Sequence, residues 1–252
     1  MKSRYRFLDM LRGLNLISMI LYHALYNLNY LYGHPMKWYR STPGYIWQQA
    51  ICWTFIFLSG FCLELGRTDT KHQLKRGALL SACGIIITLV TFIVMPNSLI
   101  IMGVLSFFGL AVLFTALLKP VLIKIPASAG LLITALFFIL TREINTGWLG
   151  FENMKLLPLP GFLYHGNLMM ILGFPYHGFY STDYFSVFPW IFLFWSGFYT
   201  WKLIQKSNLL PVHFLQSCSC PPLEWIGRHT LPIYMLHQPA LIAVFTLLEP
   251  FL

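Results

Sequence analysis

The stretch Arg4–His34, RYRFLDMLRGLNLISMILYHALYNLNYLYGH, is a membrane-length apolar segment whose ionisable interior group is His23. Arg12, His23 and His34 are each eleven residues apart. At about 3.6 residues per turn, one continuous helix would project all three from nearly the same face, ~16 Å apart along the axis. Asp9, three residues before Arg12, shares that face. An ionisable side chain is costly inside a bilayer and normally faces a bundle interior or a wet cavity. The spacing therefore predicts one wall of a polar path between the two sides of a membrane.

The rest of the chain agrees with that setting. Of its 252 residues 57% are apolar and only 10% charged, against about 25% charged in soluble domains. At about 20 apolar residues per crossing, the length fits roughly six to eight helices. Seven spans are expected, near 10–31, 45–65, 77–95, 98–118, 126–141, 184–204 and 230–248. With the N-terminus inside, the cytoplasmic segments hold Lys2, Arg4, Arg6, Arg12, Arg67, Lys71, Lys75, Arg76, Lys119, Lys124, Lys202, Lys206 and Arg228. The outer segments hold Lys37, Arg40, Arg142 and Lys155, so the positive-inside bias is thirteen to four. The expected fold is all-α, a polytopic transmembrane helical bundle of about seven spans forming one domain over 1–252. The net charge of +9 is then largely that bias, which argues against nucleic acid as a partner. Asp9 and Arg12 interrupt the first apolar run and no small-residue cleavage site follows, so it is expected to be retained as a span.

Cys52, Cys62 and Cys83 fall in spans, where cysteine behaves as a small apolar residue. Cys218 and Cys220 lie near His213 on a cytoplasmic loop, in a spacing that matches no standard zinc pattern, and no metal is expected. The outer stretch from Arg142 to Asp183 is too long for a passive connector. Its aromatic content argues against disorder, and Phe162 to Phe174 suits a re-entrant segment. The other sizeable outer loop carries His34, Lys37, Trp38 and Arg40. Both loops offer groups that suit a sugar-like ligand, and interfacial anchoring explains the same aromatics.

Several constellations carry two readings each. His23 is either a packing histidine bonded to a neighbouring span or a buried general base or nucleophile. His34, between Gly33 and Pro35, marks the end of the first helix and the outer mouth of the same path. Arg6, Asp9 and Arg12 form a snorkelling cluster with an Asp9–Arg12 pair. Alternatively, with Lys71, Lys75 and Arg76 of the next inner loop, the arginines clamp phosphates. Ser59–Gly60 permits close helix approach or backbone access to a ligand, and Glu64 is set to pair with Arg67. In the closing WIGRHTLPIYMLHQP, Thr230 is placed to cap the last helix. Pro239 removes a backbone donor beside His237 and Gln238, which are either structural or the far wall of a cavity opposite His23. No P-loop, GxSxG, HExxH or Rossmann fingerprint is present.

The runs LDMLRGLNLISMILYHALYNLNYLYGH, FIFLSGFCLELGR and WIGRHTLPIYMLHQP resemble the bacterial relatives of heparan-alpha-glucosaminide N-acetyltransferase. More broadly they resemble the transmembrane acyltransferase superfamily, including acyltransferase family three. The resemblance implies transfer of an acetyl group from cytosolic acetyl-CoA to an acceptor on the far side of the membrane. In the heparan-type enzyme the residue at the position of His23 is an asparagine, and the catalytic histidine falls at His34. In acyltransferase family three the essential histidine falls at His23. Both are present here, so both are candidate catalytic residues.

The expected function is an integral membrane acetyltransferase, placed in a bacterial inner membrane and surrounded by lipid, that acts on an amine or hydroxyl of a glycan or cell-envelope acceptor. Arg6, Arg12, Lys75 and Arg76 would hold the acetyl-CoA phosphates. Asp9, Ser59, His237 and Gln238 would line the substrate site, and a homodimer is compatible with this reading. The alternatives are a proton-coupled transporter or flippase using the same histidine path, and a non-enzymatic helical subunit whose polar groups only bind helices together.

Overall fold

The computed structural model describes residues 5–66, 69–207, 216 and 219–248. Long helices dominate, and they divide into two compact units: Met1–Leu58 with Asn208–Leu252, and Ser59–Ser207. A helix stands at each of the seven places expected of a span: α1 (Arg6–Tyr30), α2 (Thr42–Phe61), α3 (Thr70–Val94), α4 (Val104–Leu122), α5 (Ala127–Leu140), α7 (Trp190–Ser207) and α9 (Thr230–Leu248). Of these, α3, α4 and α9 are long and apolar enough to cross a membrane by length and composition, and α5 is a shorter apolar helix.

Several bounds differ from expectation for identifiable reasons. A 3-10 turn at Pro96–Ser98 and the cap at Gly103 delay the fourth helix to Val104. Asp183 occupies that cap, accepting from Val104 N at 3.3 Å. α4 runs on past Pro120 to Leu122, so the expected turn at 119 begins only after Leu122. Lys119 thereby stays helical and pairs with Glu64 at 2.9 Å. Arg67, the partner expected for Glu64, lies outside the described residues, as do His213 and Cys218.

In the first unit α1 packs on α2 through Leu16, Met19 and Ile51, joined by Trp47, Phe55, Ile226, Ile233 and Tyr234. Asn15 Nδ2 donates to the Ile51 carbonyl at 3.0 Å, and Trp47 Nε1 to Ser18 Oγ at 2.8 Å. A short helix, α8 (Pro221–Arg228), crosses α1 with the backbones nearly touching. A Cβ on Gly13 would lie 2.0 Å from the Leu223 carbonyl oxygen, and one on Gly227 1.8 Å from that of Asp9. The Arg-Gly and Gly-Arg pairs of the two end motifs thus have a structural cause: a side chain at either glycine would push the helices apart.

In the second unit α3 and α4 pair along small residues: Gly84 faces Ser106, Ser81 faces Gly109, and Gly77 faces Leu113. Gly60 of α2 meets the Phe194 backbone of α7 at 1.8 Å from an ideal Cβ, which is close packing rather than ligand access. Gly130 of α5 faces the Tyr199 ring. Tyr199 donates to the Leu122 carbonyl at 3.0 Å and Lys202 to that of Ile123 at 3.2 Å, satisfying the open end of α4.

The long stretch after Arg142 is ordered by its own bonds. It forms an antiparallel hairpin of β1 (Trp148–Phe151) and β2 (Met154–Pro158), turning at Glu152 and Asn153, both at positive φ. This small sheet, not foreseen in an all-α reading, follows from the two-residue turn, whose asparagine tolerates the left-handed region. Arg142 pairs with Glu152 at 3.0 Å and lies over the Trp190 ring. The segment expected to be re-entrant holds only a 3-10 turn at Gly161–Tyr164 and the four-residue α6 (Met169–Leu172).

Candidate active site

Within the first unit α1 and α9 lie side by side and run in the same direction. His23 meets His237, Asn27 bonds Gln238, and Tyr32, just past α1, donates to the Ile242 carbonyl at 3.2 Å. The cause is local: His23 and Asn27 are four residues apart and share one helix face. The imidazole centroids of His23 and His237 are 4.9 Å apart, with the rings tilted by 58°. Tyr22 and Tyr26 flank His23 at 6.1 and 6.4 Å, and Tyr234 flanks His237 at 5.3 Å.

Hydrogen bonding in this cluster is incomplete. His237 Nδ1 bonds the Tyr234 carbonyl oxygen, while its Nε2 is buried and has no partner among the described residues. Gln238 Nε2 donates to Asn27 Oδ1 at 2.7 Å. Asn27 Nδ2 and Gln238 Oε1 are then left over, both buried, on an Asn27 that is 0% exposed. A buried polar group without a partner costs ~1–3 kcal/mol. Three such atoms together are therefore expensive, and they supply an unused acceptor nitrogen, an unused amide donor and an unused carbonyl.

The N-terminal end of α1 is ionic. Asp9, 4% exposed, faces Arg12 at 3.5 Å, the expected pair, and also Arg228 of α8 at 3.8 Å. Arg228 reaches Glu224 at 2.8 Å, and Ser219 donates to the same carboxylate at 2.5 Å. The Ser219 hydrogen bond, together with Arg228, holds the Glu224 carboxyl below the ordinary glutamate range. Arg6 is exposed at the start of the helix.

Other sequence expectations fall elsewhere. α1 ends at Tyr30, where Leu31 N and Tyr32 N both bond the Asn27 carbonyl. Gly33 then turns the chain at φ +74° and His34 N bonds back to Leu28 O. His34 is consequently exposed on a loop, and the eleven-residue spacing does not place it on the face of His23. Thr230 does not cap α9, because its hydroxyl donates to the Gly227 carbonyl at 2.7 Å. Ser59, half-buried, and Lys75 and Arg76, both exposed on α3, belong to the second unit. Among the described residues no three His, Cys, Asp or Glu side chains gather as metal ligands.

Asn27, Tyr234 and Glu224 were missed in the sequence. For Asn27 a signal existed: an amide one helical turn beyond a buried histidine, within an apolar run.

A family model described as "Heparan-alpha-glucosaminide N-acetyltransferase, catalytic" matches residues 4–239, nearly the whole chain. No curated protein and no solved structure matches it. The match takes in both helices of the histidine cluster as far as Pro239, and the ionic N-terminal end of α1 with them. The chain belongs to the heparan-alpha-glucosaminide N-acetyltransferase catalytic-domain family, and with its long apolar helices it is a membrane enzyme of the acetyltransferase type.

Proposed function

We propose that this protein moves an acetyl group from acetyl-CoA to an amine or hydroxyl of a glycan or cell-envelope acceptor, with a histidine of the α1–α9 cluster as base or acyl carrier. The family supplies the reaction class. The observation that carries the reading is the His23–His237 pair beside Asn27 and Gln238. Two helices that need only pack together instead gather imidazoles near neutral in their ordinary titration, the groups best suited to proton transfer or acyl capture. A water-poor setting beside α9 protects a thioester from hydrolysis.

In this reading Arg6 and Arg12 hold the CoA phosphates at the inner end of the first unit, a task that suits forked guanidinium donors. Asp9 and Glu224 offset part of that charge and orient Arg228. Lys75 and Arg76 are exposed cations of the second unit that suit an anionic ligand.

The test is direct. Purified protein given acetyl-CoA and glucosamine should release free CoA thiol, and replacing both cluster histidines, His23→Ala with His237→Ala, should slow that release ~100-fold or more while the protein remains folded. Uptake of a polar solute by proteoliposomes, without any consumption of acetyl-CoA, would overturn the proposal.

A further inference from the structure

We infer that Nε2 of His237 is the proton acceptor of this site, and that the spare amide N–H of the Asn27–Gln238 pair binds the acetyl carbonyl oxygen as it becomes an oxyanion. This rests on the acetyl-transfer reading above and names the atoms that would perform it.

The assignment follows from what each partner can give. A backbone carbonyl has no hydrogen to offer, so the bond between His237 Nδ1 and Tyr234 O places the ring hydrogen on Nδ1. The neutral ring then carries its lone pair on Nε2, the atom that is buried and unpartnered. No hydrogen bond orients the His23 ring among the described residues; its neighbours are aromatic rings and His237 itself. His237 is thus held in one tautomer, and His23 is not.

The amide pair offers the complementary group. Whichever way the two amides are turned, one N–H bonds one carbonyl, leaving one amide nitrogen and one carbonyl oxygen unused. Asn27 is one turn beyond His23 on α1, and Gln238 adjoins His237 on α9. Base and donor therefore come from the same pair of helices. A donor held in place before reaction needs no reorganisation when the negative charge appears.

The step balances as follows. The acceptor amine attacks the thioester carbonyl carbon, a C–N bond forms, and the carbonyl π electrons move to oxygen, where the amide N–H donates a hydrogen bond to the oxyanion. His237 Nε2 takes the N–H proton, and the bond from Nδ1–H to Tyr234 O stabilises the imidazolium. Collapse breaks the C–S bond, and the proton passes from Nε2 to the departing sulfur as CoA thiol. Among the described residues, the titratable groups facing His237 are His23 from α1 and Tyr234 from α9.

His237→Asn tests this, because its amide can still bond the Tyr234 carbonyl while the Nε2 lone pair is gone. With acetyl-CoA and glucosamine, kcat should fall ~100-fold or more, with KM changed less than about threefold. The acidic limb of the wild-type pH–rate profile should disappear. Asn27→Ala should lower kcat ~100-fold as well. Should His237→Asn unfold, His237→Ala supplemented with free imidazole replaces it, and partial recovery of rate is expected. Retention of more than about a tenth of wild-type kcat with the acidic limb intact, or no recovery with imidazole, would overturn the assignment. A wild-type protein that releases no CoA thiol overturns the acetyl-transfer reading instead, so the two failures are distinguishable.

Discussion

In the unit Ser59–Ser207 mid-helix hydroxyls turn back on their own helices: Thr88 to Gly84, Thr115 to Ala111, Thr134 to Gly130 and Ser196 to Phe192. In the unit holding α1, α8 and α9, Asn27, His237 and Gln238 each keep a buried atom without a partner. Short hydroxyls can be satisfied by the carbonyl one turn back, which leaves a seam governed by shape. Amides and imidazoles reach across to the next helix, and a cluster of them can be only partly satisfied. Gln73 and Ser81 depart from this division, since among the described residues neither amide atom of Gln73 nor the buried Ser81 hydroxyl of the second unit has a partner. What separates the units is clustering: Asn27, His237 and Gln238 hold their spare atoms together on one pair of helices.

Backbone approach sharpens the contrast. Gly227→Val drives a side chain against the Asp9 carbonyl, where only separation of α1 and α8 relieves the clash. It should cost about 3 kcal/mol. Gly130→Ala meets a Tyr199 ring that can shift, and about 1 kcal/mol is expected. Thermal unfolding in detergent compares them, and equal losses would break the distinction. Next in size, Asp9→Ala removes a buried carboxylate facing two arginines and should lose about 2 kcal/mol. Glu64→Ala, which breaks one half-buried pair with Lys119, should lose about 1 kcal/mol or less. Tyr199→Phe strands the Leu122 carbonyl and should cost about 1 kcal/mol.

The smallest effects are those of pH, and they have opposite signs in the two units. Burial raises the Asp183 carboxyl to about 6 against the opposing bond from Val104 N–H. The folded state therefore holds that proton more tightly, and stability falls as pH rises from about 4 to about 6. Glu224 is lowered instead, so its contribution is present above the ordinary glutamate range and is lost as pH falls through the folded value. Unfolding midpoints of Asp183→Asn and Glu224→Gln, followed across that range, should diverge from wild type in opposite directions. A common direction would show that one of the two carboxyls is wrongly placed.

Much of this was legible in the chain. Apolar runs located the long helices to within several residues, because helix formation on a greasy segment is local. The Asp9–Arg12 pair was readable as neighbours on one face. His237 and Gln238 were readable as groups opposite His23, since a polar pair beside a proline stands out in an apolar helix. The hairpin at 148–158 was not readable, because Glu152–Asn153 lacks the glycine that usually announces such a turn. Nor was the end of α1, since only the bonds from Leu31 and Tyr32 to Asn27 O show the helix closing before His34.

Composition and periodicity alone settled that this is a helical chain suited to a membrane, with polar residues confined to particular faces. Those properties depend on residues within a turn or two of one another. Partner choice depended on packing: Asn27 meets Gln238 across 211 residues, Asp9 gains Arg228, and Gly13 and Gly227 let α1 and α8 touch. Such pairs arise only when distant helices are brought side by side. For that reason the meeting of His237 with His23 was decided by the folded protein, whereas the bond of His237 to the Tyr234 carbonyl, three residues back on the same helix, is local.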